Sequence, residues 1–132
     1  MKKRISPRAI IIEDNSVYLM FRRRKKEDGT FSEYYVIPSG GIEENETIEE
    51  NVIRELKEEF SVDIKINKYL GQEEGEDYIM HFFSCSIING TPILGGEELE
   101  KCSENNYYEI RKVLLKDLDK IDVLFKEKIL NK

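Results

Sequence analysis

The sequence predicts an α/β protein of the α+β type on a mixed sheet, and three observations carry that reading. Short apolar, β-branched runs outnumber helical ones. Tight-turn signals join several runs into hairpins, which a doubly wound parallel sheet does not use. One strongly marked amphipathic helix, residues 47–60, separates two groups of strands. In chain order, Arg8 to Glu13 is an apolar strand, Asp14-Asn15-Ser16 a turn, and Val17 to Phe21 its hairpin partner. A turn at Glu27-Asp28-Gly29-Thr30 leads into a short strand, Tyr34 to Ile37, stopped by Pro38-Ser39-Gly40-Gly41. After the helix, Val62 to Leu70 alternates as a strand and Tyr78 to Ile88 forms a long apolar one. Asn89-Gly90 signals a further hairpin, with Ile93-Leu94 on the return side. Residues 95–106 read as an acidic loop, Tyr107 to Leu115 as the last strand and Leu118 to Leu130 as a second helix.

A length of 132 residues fits one domain, 1–132. With 39% hydrophobic residues, six Phe and seven Tyr, the chain can bury a core, which excludes a disordered tail. No apolar run approaches the roughly 18–20 residues of a membrane span, so no membrane partner is expected. The basic start is followed only by Ala9 to Ile12 before Glu13, too short for a secretory core region, and the expected location is cytoplasmic. Cys85 and Cys102 form no C-x-x-C pair, and with a single His they suggest neither disulfide nor zinc. The oligomeric state stays open, a homodimer included.

Charge is distributed unevenly. The net charge of −6 argues against DNA binding, which needs a basic face. Residues 43–63 hold nine acids and two bases, a sum of −7 that leaves the rest of the chain at +1. Against this, Arg22-Arg23-Arg24-Lys25-Lys26 is a run of five cations, which reads as a solvated loop or strand end.

The acidic segment is the helix. Thr47 with Glu50 three residues later is a capping box. At 100° per residue, Ile48, Val52, Ile53, Leu56 and Phe60 form the buried stripe, and Glu55, Glu58 and Glu59 are neighbours beside it, with Glu59 nearest the stripe. Three like charges this close repel by a few tenths of a kcal/mol per pair, and they sit at the helix end where the dipole disfavours anions. A divalent cation reverses the sign of that balance, because carboxylate oxygens are what Mg²⁺ or Mn²⁺ accepts. A solvated acidic face is the alternative for the same residues.

Read in order, the segment is Gly40, five residues, Glu46, seven residues, then Arg54-Glu55-Leu56-Lys57-Glu58-Glu59-Phe60-Ser61-Val62. It resembles the signature of the Nudix hydrolases at eight of nine specified positions with the spacing intact. Tyr34 to Pro38 looks like that family's strand entering the motif, so the resemblance implies a Nudix-like α/β/α sandwich. Several positions depart from the family pattern. Ser61 replaces its final Gly, at a cost of about 1 kcal/mol if the backbone turns left-handed there. Asn45 stands where Gly is usual and tolerates the same conformation. Ser39 replaces the first Gly of Pro-Gly-Gly-Gly, Asn51 takes the place of a common Ala facing the carboxylates, and Lys112 occupies what is often a Trp.

The resemblance implies Mg²⁺- or Mn²⁺-dependent hydrolysis of a diphosphate linkage, in a nucleoside diphosphate derivative or a nucleoside triphosphate. Glu58 and Glu59 would be the main metal ligands, Glu55 a third ligand or the base, and the Ser39 backbone carbonyl a further ligand. Arg54 would orient the glutamates, while Glu46, Gly40 and Gly41 would hold the loop. Glu97, Glu98 and Glu104 are candidates for an additional late-loop acid, with Glu98 and Glu97 preferred. Arg8, Arg22 and Arg24 are candidates for substrate phosphates, since the guanidinium fork suits them. Tyr78 and His81 read as packing residues of the long strand, with stacking on a base as the other use. The alternative function is a non-catalytic Nudix-like domain that binds a nucleotide or metabolite.

Overall fold

The computed structural model describes residues 2–130. β1 (Arg4–Glu13) and β2 (Ser16–Lys25) form the expected hairpin, turned by Asp14 and Asn15 at φ 53° and 59°. The two strands stay paired only at Ile12–Val17 and Glu13–Ser16 and then separate. β1 continues in a parallel ladder with β5 (Tyr78–Asn89), which pairs antiparallel with β4 (Asp63–Glu74). β2 runs antiparallel between β3 (Phe31–Val36) and β6 (Asn106–Leu114). The result is one six-stranded mixed sheet in two wings, β4-β5-β1 and β3-β2-β6, hinged at the hairpin.

Helices cover both faces, as the sandwich requires. Ala9 and Ile11 pack toward Val52, Leu56 and Phe60 of α1 (Ile48–Phe60). Ile10, one residue between them, packs with Phe82, Leu118 and Ile129 on the other side. That two-sided burial explains the continuous apolar run in β1. Apart from Ala9, each of these fully buried aliphatic or aromatic side chains contributes about 1.5–3 kcal/mol.

Both ends of α1 follow from the sequence. Thr47 Oγ1 accepts the Glu50 N–H at 3.0 Å, and the Glu50 carboxylate accepts the Thr47 N–H at 2.9 Å. Ser61 closes the helix at φ 60°, ψ 32°, the left-handed conformation a glycine would adopt more cheaply. Its Oγ donates to the Ile93 carbonyl at 2.9 Å, which offsets part of that cost. Asn45, at φ 66°, turns the chain before the helix.

Three expectations are corrected. The hairpin at Asn89-Gly90 does not form, because β5 already has β1 on one edge and β4 on the other. The chain instead crosses the end of α1, where the Ile93 and Gly95 N–H groups donate to the Phe60 and Glu59 carbonyls at 2.9 and 3.0 Å. Those carbonyls belong to the last helical turn and have no partner within it. The acidic loop 95–106 contains a short helix, α2 (Gly96–Lys101). The C-terminal helix is split into a 3₁₀ helix (Leu115–Lys120) and α3 (Lys126–Leu130). Between them the chain serves β3, with the Tyr35 N–H donating to the Asp122 carbonyl at 2.8 Å.

Candidate active site

Where β1 and β2 diverge, the two wings leave a wedge that α1 closes from one side. It forms a cavity of about 530 Å³. Alternation along β1 sends Arg4, Ser6 and Arg8 to its wall, and β2 contributes Met20 and Arg22. Glu55 and Glu59 of α1 and Glu98 of α2 stand on the third wall. An adjoining cleft of about 470 Å³ shares Ser39, Glu55, Glu59 and Glu98, and adds Glu58 and Glu97.

The helix places its carboxylates by rotating its buried arc away from Ile53, which is 41% exposed, contrary to the expected stripe. Asn51, Val52, Leu56, Glu59 and Phe60 are buried instead. The loop after β3 and the crossing at 93–98 cover the carboxylate side of α1 and leave Ile53 partly in solvent. Carboxylate oxygens of Glu55, Glu58 and Glu59 lie within 4.8 Å of one another. Glu59 Oε2 accepts the Glu98 N–H at 3.3 Å, so the trio also anchors the start of α2. Gly96 lies against the same carboxylate, at φ 61°, and a Cβ there would stand 2.7 Å from Glu59 Oε1.

Arg54 is the hub beneath them. Its Nε and Nη2 grip Glu46 at 2.6 and 3.1 Å, Nη1 reaches Glu58 at 3.0 Å, and Nη2 reaches Glu55 at 3.1 Å. Glu46 in turn accepts from Asn51 Nδ2 at 3.0 Å, and the same amide group donates to the Gly41 carbonyl at 2.9 Å. Asn51 therefore turns to the loop rather than to the trio. Gly40 is required by close approach, since a Cβ on it would overlap the Glu55 carboxyl group.

Electrostatics follow from this packing. The hydrogen bond from Arg54 pulls the Glu46 carboxyl down to about 2. Glu46, with the bond to Glu58 adding, raises the Arg54 guanidinium above its ordinary range. Burial pushes Glu55 up; Arg54 opposes this, while Glu58 and Glu98 reinforce it. Burial also raises Glu98, whose Oε2 is enclosed without a hydrogen-bond partner. Because the Glu46 value is depressed in the folded state, its stabilisation is complete above the ordinary carboxylate range and is lost as pH falls toward about 2. Glu46→Gln is thus expected to cost about 1–3 kcal/mol in neutral urea melts, and almost nothing in melts near the lower pH.

The remaining sequence-derived candidates separate clearly. Glu97 lines the cleft and pairs with Lys101 at 3.5 Å, whereas Glu104 is exposed and lines neither hollow. Arg8 and Arg22 reach the cavity, but Arg24 is exposed and does not. Arg22 lies 4.4 Å from the Tyr108 ring centroid and donates to the Tyr108 hydroxyl at 2.8 Å. Tyr78 lines the cavity; His81 is turned away, 2.8 Å from the Tyr69 hydroxyl. Lys112 pairs with Asp14 at 3.0 Å, away from the site. Arg4, Ser6 and Tyr108 were not anticipated from the sequence. Starting the first strand at Arg4 would have put residues 4, 6 and 8 on one face.

A family model described as NUDIX domain matches residues 2–129. An ADP-ribose pyrophosphatase of Methanocaldococcus jannaschii is 33% identical over 88 residues, 67% of this chain; the chain spans about half the length of that relative. The MutT NUDIX hydrolase of Burkholderia pseudomallei superposes with a TM-score of 0.75 at 20% identity, covering 99% of this chain and 98% of that one. An ADP-ribose pyrophosphatase of Streptococcus suis superposes at 0.65 with 17% identity, covering 98% and 88%. With the motif spacing intact, its acids gathered in the wedge and the family model matched almost end to end, the chain belongs to the Nudix hydrolase family.

Proposed function

We propose that the protein is a Mg²⁺- or Mn²⁺-dependent pyrophosphohydrolase acting on a nucleoside diphosphate derivative or a nucleoside triphosphate. The observation that carries this reading is the Glu55–Glu58–Glu59 cluster, with the unpartnered Glu98 oxygen beside it, at a cavity that arginines also line. An all-oxygen donor set of carboxylates suits a hard divalent cation. A bound ion of this kind neutralises phosphate charge and acidifies water.

The chain's own residues divide the remaining work. Glu58 and Glu59 are the principal ligands, with Glu55 and the Ser39 carbonyl beside them. Glu55 or Glu98, each with its carboxyl raised by burial, holds the proton taken from the attacking water. Arg54 fixes the rotamers of Glu55 and Glu58. Arg22, braced on Tyr108, offers cationic donors to the phosphates. The relative from Methanocaldococcus jannaschii makes ADP-ribose one member of the panel to be tried.

Phosphate or nucleotide release from ADP-ribose, nucleoside triphosphates and nucleotide sugars is expected with millimolar Mg²⁺ or Mn²⁺, and none in EDTA. Mn²⁺ alone is expected to raise the melting temperature of the wild type by several degrees and that of Glu59→Gln much less. Equal shifts in both proteins would remove the metal from this cluster.

A further inference from the structure

Among the described residues, Arg4, Arg8 and Arg22 line the cavity with no carboxylate in ion-pair distance, and Arg8 is the one of the three whose guanidinium burial shifts clearly. It is largely buried, and among the described residues its side chain makes one hydrogen bond, from Nη1 to the Ile37 carbonyl at 2.9 Å. Its Nε is enclosed and has no partner. No carboxylate among the described residues stabilises it, and the neighbouring charge that acts on it is another cation, Arg4. Burial, with Arg4 adding, lowers it to about 10. An enclosed guanidinium beside a like charge is destabilising unless an anion completes it. Arg8 lines the same cavity as the α1 carboxylates Glu55 and Glu59, with the buried residue Ser6 next to it on the same face of β1.

We infer that Arg8 is a specificity-determining residue whose guanidinium, with Ser6 and Arg4, forms a subsite for an anionic group carried by the substrate outside the scissile diphosphate. The group is a phosphate or a carboxylate; both offer the paired oxygens that a guanidinium fork accepts. This rests on the hydrolase reading above for the meaning of "substrate", but the subsite is a property of β1 and needs no metal. It selects a nucleoside triphosphate over the diphosphate, or a nucleotide uronate over the neutral nucleotide sugar.

The test compares wild type with Arg8→Met, which keeps the side-chain volume, and Arg8→Lys, which keeps the charge but not the fork. In EDTA, millimolar inorganic phosphate should raise the melting temperature of the wild type, leave Arg8→Met unmoved and raise Arg8→Lys part of the way. Without ligand, Arg8→Met should melt at the wild-type temperature or about 3 °C above it, since an uncompensated buried charge has gone. With Mg²⁺, the preference in kcat/KM for a nucleoside triphosphate over its diphosphate should fall about ten- to hundredfold in Arg8→Met. The pair UDP-glucuronate and UDP-glucose reads the carboxylate source in the same way. An unchanged preference in both pairs, or equal phosphate shifts in all three proteins, overturns the subsite. A melting temperature more than about 5 °C lower in Arg8→Met does so too, by making Arg8 a structural brace for Ile37. Should phosphate binding depend on Arg8 while no nucleotide is hydrolysed, the subsite stands and the hydrolase reading falls. Should hydrolysis occur with Arg8 irrelevant, the reverse holds.

Discussion

Glu58→Gln is expected to lower kcat by about a thousandfold or more while leaving the melting temperature within about 2 °C of wild type. The amide keeps the shape of the side chain, and its oxygen still accepts from Arg54 Nη1, now 3.0 Å from Glu58 Oε2. What disappears is one negative charge from a trio whose oxygens lie within 4.8 Å of one another. Stability has little to lose, because the side chain is 49% exposed and such pairs are worth about 0–1 kcal/mol. Relief of repulsion among the glutamates acts in the opposite direction. Nucleoside monophosphate release measured by chromatography, alongside a circular-dichroism melt, separates the two effects. Turnover near the wild-type rate would mean that the metal is held elsewhere.

Gly40→Ala should be nearly as damaging, for a steric reason. The added methyl would occupy the position of the Glu55 carboxyl group. Glu55 cannot swing aside cheaply: its side chain is only 13% exposed and is tied to Arg54 at 3.1 Å. Either the loop retreats or the carboxylate leaves the trio. Overpacking of this kind costs about 1–3 kcal/mol, and a displacement of about 1 Å costs about a hundredfold in rate. A double-mutant cycle with Glu55→Ala isolates the cause, because the smaller side chain should remove most of the stability cost of Gly40→Ala. Additive costs would show that the methyl clashes with something other than Glu55.

The carboxylates were legible because they are local. Thr47 and Glu50 fix the helix start, 3.6-residue periodicity fixes which glutamates are neighbours, and the structure keeps all of them on α1. Glu98 is one of the two late-loop acids preferred from the sequence, and composition does not separate it from Glu97. The Ile93 and Gly95 contacts that carry the chain across the end of α1 bring Glu98 to the cavity wall, and those replace a hairpin that Asn89-Gly90 favours locally. The local turn preference lost to a non-local fact, the occupation of both edges of β5. Ile53 failed similarly, since hydrophobicity ranks it with the core while coverage by the neighbouring loops rotates the buried arc toward Glu55 and Glu59. Arg4 and Ser6 precede the β-branched run that marks the first strand, so local pattern does not place them on the cavity wall.

The brief pairing of β1 with β2 divides the first strand into two halves under different constraints. Residues 9–11 carry the weight of both hydrophobic layers, whereas 4, 6 and 8 line the cavity between the wings. Exchanges at those three positions can retune what the pocket accepts while the foundation stays intact, so diversification of molecular taste would begin at the amino-terminal half of that strand.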